Sequence, residues 1–111
     1  MSYTQEQKDN LVKVLFNGKS IRCKTIDQSN ELSEILDDVG ICWISGESML
    51  QHRVWNNYRE QTTYNYEVGS NEGMMYSPAR WYKEHGREVV DFDQILTEPQ
   101  PTISLMEYLS L

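Results

Sequence analysis

The stretch DQSNELSEILDDVGICWISG, residues 27–46, decides the predicted fold. Its first part has apolar residues at the i, i+3, i+4, i+7 spacing of a helix with one buried face. These residues are Leu32, Ile35, Leu36 and Val39. Asp27 or Ser29 can cap the start of this helix, and Gly40 is expected just past its end. The pattern therefore predicts one packed helix that runs to about Val39.

A strand is predicted directly after this helix, over Ile41–Ser45, and Gly46 ends it. Trp43 lies between apolar neighbours, so we expect its ring in the core. Cys42 in this strand and Cys23 in an earlier one are expected to be buried thiols in a reducing compartment. The alternative is a disulfide between Cys23 and Cys42, which requires that their two strands pair.

The chain before residue 27 predicts a β-hairpin. Leu11–Phe16 is an apolar run typical of a strand, and Ser20–Ile26 is its expected return strand. Asn17 and Gly18 between them form the strongest short hairpin signal, because both central positions of a type I′ turn need positive φ.

A second hairpin and a short helix are predicted after a polar connection over residues 46–61. The hairpin strands are Thr62–Val68 and Met74–Tyr76, and the helix is Ala79–His85. Glu88–Phe92 is the last predicted strand. The order is thus hairpin, helix, strand, hairpin, short helix, strand. This predicts an α+β domain over residues 1–96, with one main packed helix on a mostly antiparallel sheet of five to six strands.

Residues 97–111 are predicted to be a linker with two prolines and an apolar tail. The tail is too short to fold alone, so it docks either on its own domain or on a neighbouring subunit. We expect a homo-oligomer whose interface residues are Ile103, Leu105, Met106 and Leu109.

The charge of the chain limits its partners. The formal net charge is −7 and the pI about 4.7, which disfavours duplex nucleic acid, because such binding depends on Lys and Arg. No apolar run is long enough to cross a membrane, and no export signal is present at the start. The expected location is a cytoplasm.

Catalytic and cofactor motifs are not apparent in the sequence. Cys42 with His52 or His85 would form a nucleophile pair only if the thiol were exposed in an electropositive setting. Cysteines and histidines show no zinc spacing, and no glycine-rich phosphate loop is present. Asp91 and Asp93 point the same way on a strand but have no histidine beside them. We therefore expect a binding protein without a cofactor.

The positive signal is an aromatic middle with basic residues between its rings. Trp and Tyr can stack on bases, and Arg can hold phosphate in a bidentate grip. The alternative is that most of these rings fill a small β core. The predicted ligand-binding residues are Arg53, Trp55, Tyr58, Arg59, Arg80, Trp81 and Lys83.

The Gly-x-x-Trp-x-Ser-Gly pattern over residues 40–46 resembles a group of small bacteriophage accessory proteins. A later Tyr-rich hairpin and the segment Val89–Phe92 extend the likeness. Some such proteins sequester cyclic-nucleotide signals of bacterial immunity, those of the anti-CBASS type among them. The resemblance implies a phage anti-defence protein, acting in the host cytoplasm, that captures a cyclic dinucleotide or related signal.

Two other functions stay open from the sequence. An acidic inhibitor could block a host defence or nucleic-acid-binding protein by direct contact, which the charge of −7 motivates. A small hydrolase acting on such a nucleotide is the third hypothesis.

Overall fold

The computed structural model describes residues 3–69 and 71–97. The elements in chain order are α1 Gln5–Phe16, β1 Ser20–Arg22, α2 Ile26–Asp38, α3 Trp55–Tyr58, a 3-10 turn Arg59–Gln61, β2 Thr62–Glu67, β3 Gly73–Pro78, α4 Ala79–Glu84, β4 Val89–Asp91 and α5 Phe92–Thr97. No helix within these residues is long and apolar enough to cross a membrane.

One mixed sheet of four strands forms the centre of the fold, in the order β3-β2-β1-β4. The β2–β3 and β1–β2 pairs are antiparallel, whereas β1 and β4 are parallel. The α+β class is confirmed. The predicted five to six strands exceed the four that the described residues form.

Helices cover both faces of this sheet. On one face, the Tyr64 hydroxyl is hydrogen-bonded to Ser29 of α2, and the Phe16 ring of α1 meets Tyr66 edge-on. Helix α5 packs against α1. On the other face, the Tyr82 hydroxyl of α4 donates a hydrogen bond to Asn65 of β2. The pleat of β2 thus directs alternate side chains to two separate helical layers.

The first predicted strand is wrong, because Leu11–Phe16 belongs to helix α1. Thr4 and Gln7 form a reciprocal capping box that satisfies two otherwise unpaired N–H groups at the helix start. The buried residues then follow a helical stripe: Asn10, Leu11, Val14 and Leu15. A capped start and a buried stripe outweigh the strand preference of the β-branched residues in the run.

The predicted turn at Asn17 and Gly18 ends this helix and does not form a hairpin. Gly18 has φ +81°, and its N–H donates to the carbonyl of Leu15. The N–H of Lys19 donates to Val14 in the same way. The residue pair that suits a type I′ turn also suits a helix end, since both need positive φ at glycine.

The main predicted helix is confirmed as α2, with shifted ends. The Thr25 hydroxyl caps the helix by accepting a hydrogen bond from the Gln28 N–H. Ile26 therefore begins the helix and does not end the preceding strand. Gly40 has φ +82°, as expected past a helix end. Val39 is exposed, so the buried stripe stops at Leu36.

The predicted strand Ile41–Ser45 is wrong. This segment makes two isolated bridges, one of Cys42 with Ser48 and one of Trp43 with Met74. Trp43 is buried, as expected, but Cys42 is exposed. Cys23 is buried, and both thiols are free.

The second half follows the sequence more closely. The β2–β3 hairpin and helix α4 are confirmed. Strand β4 is shorter than predicted, because Phe92 begins helix α5 instead of ending the strand. Residues 98–111, with most of the predicted linker and all of the tail, lie outside the described residues.

Candidate functional site

Two adjoining cavities lie beside the β2–β3 hairpin. The first, here called the arginine pocket, has a volume of about 340 Å³. Its walls come from α3, the 3-10 turn and the junction of β3 with α4. Its lining residues are Asn56, Asn57, Tyr58, Arg59, Glu60, Gln61, Pro78 and Arg80.

Helix α3 is held in place from both of its ends. Buried Val54 precedes it, and half-buried Trp55 packs against the core. Thr62 of β2 donates from its hydroxyl to the carbonyl of Trp55 over 3.5 Å. Asn57 donates from its amide to the Tyr76 hydroxyl of β3 over 2.9 Å. The pocket wall is therefore fixed to the sheet.

Arg59 and Arg80 are the unpaired arginines of the described residues. The other three of the five arginines have hydrogen-bonded partners. These are Arg22 with Asp91, Arg53 with Asn30 and Arg87 with Glu67. Within residues 3–69 and 71–97, neither Arg59 nor Arg80 has a hydrogen-bonded or ion-paired partner, although acidic residues outnumber basic ones. Two free guanidinium groups and one carboxylate, Glu60, thus line the same pocket.

Arg59 has a strained backbone. Its φ of 50° makes it the one residue other than glycine with positive φ in the described parts of the chain. Such conformations cost about 1–3 kcal/mol and are concentrated at functional sites. The strain lets the 3-10 turn follow α3 directly and brings Arg59 to the pocket wall.

We expect the free energy of unfolding of Arg59→Gly to be about 1 kcal/mol higher than that of Arg59→Ala, because only glycine adopts this conformation without strain. Urea denaturation of both variants measures the difference. Both substitutions remove the same guanidinium group, so its loss cancels in the comparison. Equal stabilities would show that the backbone at Arg59 is relaxed in solution.

The second cavity, here called the aromatic groove, has a volume of about 280 Å³. Trp43 meets Tyr76 and His52 edge-on, at centroid distances of 5.5 and 5.8 Å. The Trp43 indole N–H donates to the carbonyl of His52 over 3.0 Å. The remaining lining residues are Ile44, Ser45, Glu47, Met74 and Met75.

Tyr58 and Tyr76 connect the two cavities. Tyr58 lines the arginine pocket and Tyr76 lines the aromatic groove, and their ring centroids are 5.9 Å apart. A ligand with an anionic part and a flat ring can therefore contact guanidinium groups and aromatic faces at once.

The buried hydroxyl and thiol groups near the sheet have a structural role. Burial raises the pKa of the Tyr64 and Tyr82 hydroxyls and of the Cys23 thiol above their ordinary values. Cys23 is thus protonated at neutral pH and is a poor nucleophile.

Within residues 3–69 and 71–97, no three His, Cys, Asp or Glu side chains are grouped so that they could hold a metal ion.

Three of the seven predicted ligand residues meet in one cavity: Tyr58, Arg59 and Arg80. The other four line neither the arginine pocket nor the aromatic groove. Arg53 donates to Asn30 and to the carbonyl of Leu50, which ties its loop to α2. Trp55 packs against the core, as the alternative reading of the rings expected.

Trp81 and Lys83 lie on α4 outside both cavities. His85 stacks on the Trp81 ring at 4.0 Å, and Arg87 lies 5.7 Å from the same ring centroid. Arg87 is itself paired with Glu67. The Trp81 ring is therefore already in contact with side chains of its own domain.

Sequence reasoning missed the amides and the groove. Asn56 and Asn57 were within a polar connection, where asparagine is common for reasons of turn formation. Tyr76 and His52 come together only because β3 folds beside the segment that holds Trp43. A Tyr-rich hairpin was the one available signal for Tyr76, and nothing in the sequence singled out His52 as a groove residue.

In comparisons with known proteins, no family model, no curated protein and no solved structure matches the chain. The resemblance to phage accessory proteins therefore stays a prediction. The expected oligomer interface at Ile103, Leu105, Met106 and Leu109 lies outside the described residues, and it also stays a prediction.

Proposed function

We propose that the protein is a non-enzymatic binding protein that captures a small anionic nucleotide in the arginine pocket. The observation that supports this most directly is the pair Arg59 and Arg80, which share one cavity and have no partner within the described residues. A chain with a net charge of −7 has many carboxylates with which to pair its arginines. Leaving two of them unpaired in one pocket is typical of an anion site.

The phosphate of the ligand would lie between the two guanidinium groups, and its ring would contact Tyr58 and Tyr76. Hydrogen bonds to charged groups contribute about 1.5–3 kcal/mol each, and stacking on an aromatic side chain about 1–3 kcal/mol. Together these terms are large enough for capture at low concentration. The amides of Asn56 and Asn57 offer donors and acceptors to a base edge.

The ligand class follows from the resemblance as well as from the pocket. Small phage proteins that sequester cyclic-nucleotide signals make cyclic dinucleotides the first ligands to test, with the host cytoplasm as the place of action. Sequestration needs tight binding and no turnover. We therefore propose capture in place of hydrolysis.

The alternative of an acidic inhibitor has less support. Asp91 and Asp93 contribute to the negative charge that motivated it, but both lie within 4 Å of Lys24, and Asp91 also pairs with Arg22. Partly neutralised carboxylates attract a basic partner less strongly.

Isothermal titration against cyclic dinucleotides, nucleoside monophosphates and inorganic phosphate tests the proposal. We expect a nucleotide to bind more tightly than inorganic phosphate, because only the nucleotide reaches the rings. Binding should weaken as salt is added, since phosphate contacts are screened. The bound ligand is then recovered by denaturing the protein. Silence across the panel would end the proposal, and recovery of a cleaved ligand would replace capture by hydrolysis.

A further inference from the structure

Three aromatic rings meet in the aromatic groove. Trp43, His52 and Tyr76 line it, and their ring centroids lie 5.5, 5.8 and 6.5 Å from one another. The ring planes are inclined by 88° between Trp43 and His52, 69° between Trp43 and Tyr76, and 54° between His52 and Tyr76. These rings therefore form a corner and not a flat stack, here called the ring corner. One ligand group can lie within about 6 Å of all three centroids, which is the range of a cation–π contact.

Hydrogen bonds hold the ring corner in place. The Trp43 indole N–H donates to the carbonyl of His52 over 3.0 Å, and the Trp43 backbone N–H donates to the carbonyl of Glu47 over 3.0 Å. The Tyr76 hydroxyl accepts a hydrogen bond from the Asn57 amide over 2.9 Å. Because these contacts are made within the protein itself, little side-chain ordering is left to oppose the binding of a ligand.

The charge of the groove is opposite to that of the arginine pocket. Glu47 lines the groove, and within the part of the chain that the structure describes no lysine or arginine does so. The Glu47 carboxylate Oε2 lies 3.8 Å from Nδ1 of His52, so the negative charge is beside one wall of the ring corner. Ile44, Met74 and Met75 make much of the remaining lining apolar. Ring faces and a nearby carboxylate both attract a cation, and an apolar lining favours a cation that carries methyl groups.

The size of the groove and its backbone favour a small molecule over a peptide. Its volume of about 280 Å³ is close to the lower end of small-molecule sites. A peptide that paired with β3 would find few free backbone groups at this end of the strand. The Tyr76 carbonyl accepts from the Ser77 hydroxyl over 2.7 Å, and Pro78 has no N–H to donate.

We propose that the aromatic groove binds a small quaternary ammonium compound of the choline class. Its trimethylammonium group would lie in the ring corner, with Glu47 beside the positive charge. Aromatic cages for methylated ammonium groups work in this way. The site goes beyond nucleotide capture and does not depend on it, because the two ligands have opposite charges and bind in different cavities. Tyr76 is also used by the nucleotide proposal, so the variants below change His52 and Glu47.

Titration of the full chain with choline chloride at constant ionic strength tests the proposal. NMR follows the Trp43 indole N–H at about pH 8, where an ordinary imidazole carries no charge. We expect this resonance to shift and to saturate. The neutral tert-butyl analogue of choline, in which carbon replaces nitrogen, has the same shape and should bind about tenfold more weakly or less. Equal affinities would overturn the proposal, because the groove would then be an apolar pocket without preference for a cation. An unchanged Trp43 resonance would also overturn it.

Two pairs of variants locate the cation. His52 is exposed, so its side chain can be changed without loss of the core. His52→Leu removes one ring and should weaken choline binding about fivefold, whereas His52→Phe keeps a ring and should bind choline at least as tightly as the unmodified protein. Glu47→Gln should weaken it about threefold, since a pair of exposed charges contributes little. The matched control is Glu34→Gln, an exposed position outside the groove, which should leave the affinity unchanged. Equal affinities of His52→Leu and His52→Phe would show that the ring is no wall of the site and would overturn the proposal.

Two further measurements separate this site from its alternatives. A peptide with trimethyllysine should bind more weakly than choline, and tighter binding would overturn the assignment to a small molecule. Choline should still bind to the double variant Arg59→Ala/Arg80→Ala, which removes both guanidinium groups from the arginine pocket. Loss of choline binding there would place the cation outside the groove. A protein that binds nucleotide but not choline would refute this proposal alone, and the reverse result would refute only nucleotide capture.

Discussion

Gly73→Ala is expected to lower the free energy of unfolding by about 3 kcal/mol or more, because strain and overlap add at this residue. A methyl group at Gly73 would lie 2.6 Å from the backbone nitrogen and Cα of Ile44. These are backbone atoms, so no side-chain rotation relieves the overlap. The φ of +155° is also one that residues other than glycine rarely adopt. Urea denaturation measures the loss.

Gly69→Ala is the matched control for this prediction. Gly69 also has positive φ, at +136°, but nothing lies within 4 Å of the position of a methyl group there. Only the strain remains, so the cost should be clearly smaller than at Gly73. Equal costs at the two glycines would mean that the segment with Trp43 does not press against β3. The aromatic groove would then lack its outer wall in solution.

The double variant Arg59→Ala/Arg80→Ala should lower nucleotide affinity by about a thousandfold. Each guanidinium group contributes about 1.5–3 kcal/mol of charge-assisted hydrogen bonding, and about 1.4 kcal/mol corresponds to a factor of ten. The single variants should each lose about ten- to a hundredfold. If both groups hold the same phosphate, their effects are coupled, and the double loss departs from the sum of the single ones. Titration calorimetry on the four proteins gives this coupling.

Lys83→Ala is the control for net charge. Lys83 lies on α4 like Arg80 but does not line the arginine pocket, and the substitution removes the same charge. Its affinity should stay within about twofold, since an exposed rim charge contributes little. A loss as large as that of Arg80→Ala would point to long-range attraction in place of direct contact. Unfolding free energies of all variants should change by less than about 0.5 kcal/mol, because neither arginine has a partner to lose among the residues that the structure describes.

Local signals predicted those elements whose periodic pattern and terminating residues lie in one short stretch of sequence. Helix α2 has a periodic stripe and a terminal glycine within one stretch, and the β2–β3 hairpin has its turn between alternating residues. Both were found from the sequence. Leu11–Phe16 was misassigned because a short apolar run does not distinguish strand from helix by periodicity alone. The capping box at Thr4, seven residues earlier in the chain, was the signal that settles it.

The sequence predicted the residue types of the candidate site but not which of these residues come together. Tyr58, Arg59 and Arg80 were selected together with Arg53, Trp55, Trp81 and Lys83, since all seven lie in the same aromatic and basic region. Their separation depends on partners distant in the chain. Arg53, for example, meets Asn30 only because α2 packs beside its loop.

The sequence by itself determined the α+β class, the main helix, the second hairpin and the excess of negative charge, because each depends on neighbouring residues or on composition. The tertiary structure alone decided the parallel pairing of β4 with β1 and which two arginines have no partner within residues 3–69 and 71–97. These features arise where segments far apart in the chain come together. Local residue spacing does not predict which distant groups will form an ion pair with a charged side chain or accept a hydrogen bond from a backbone N–H.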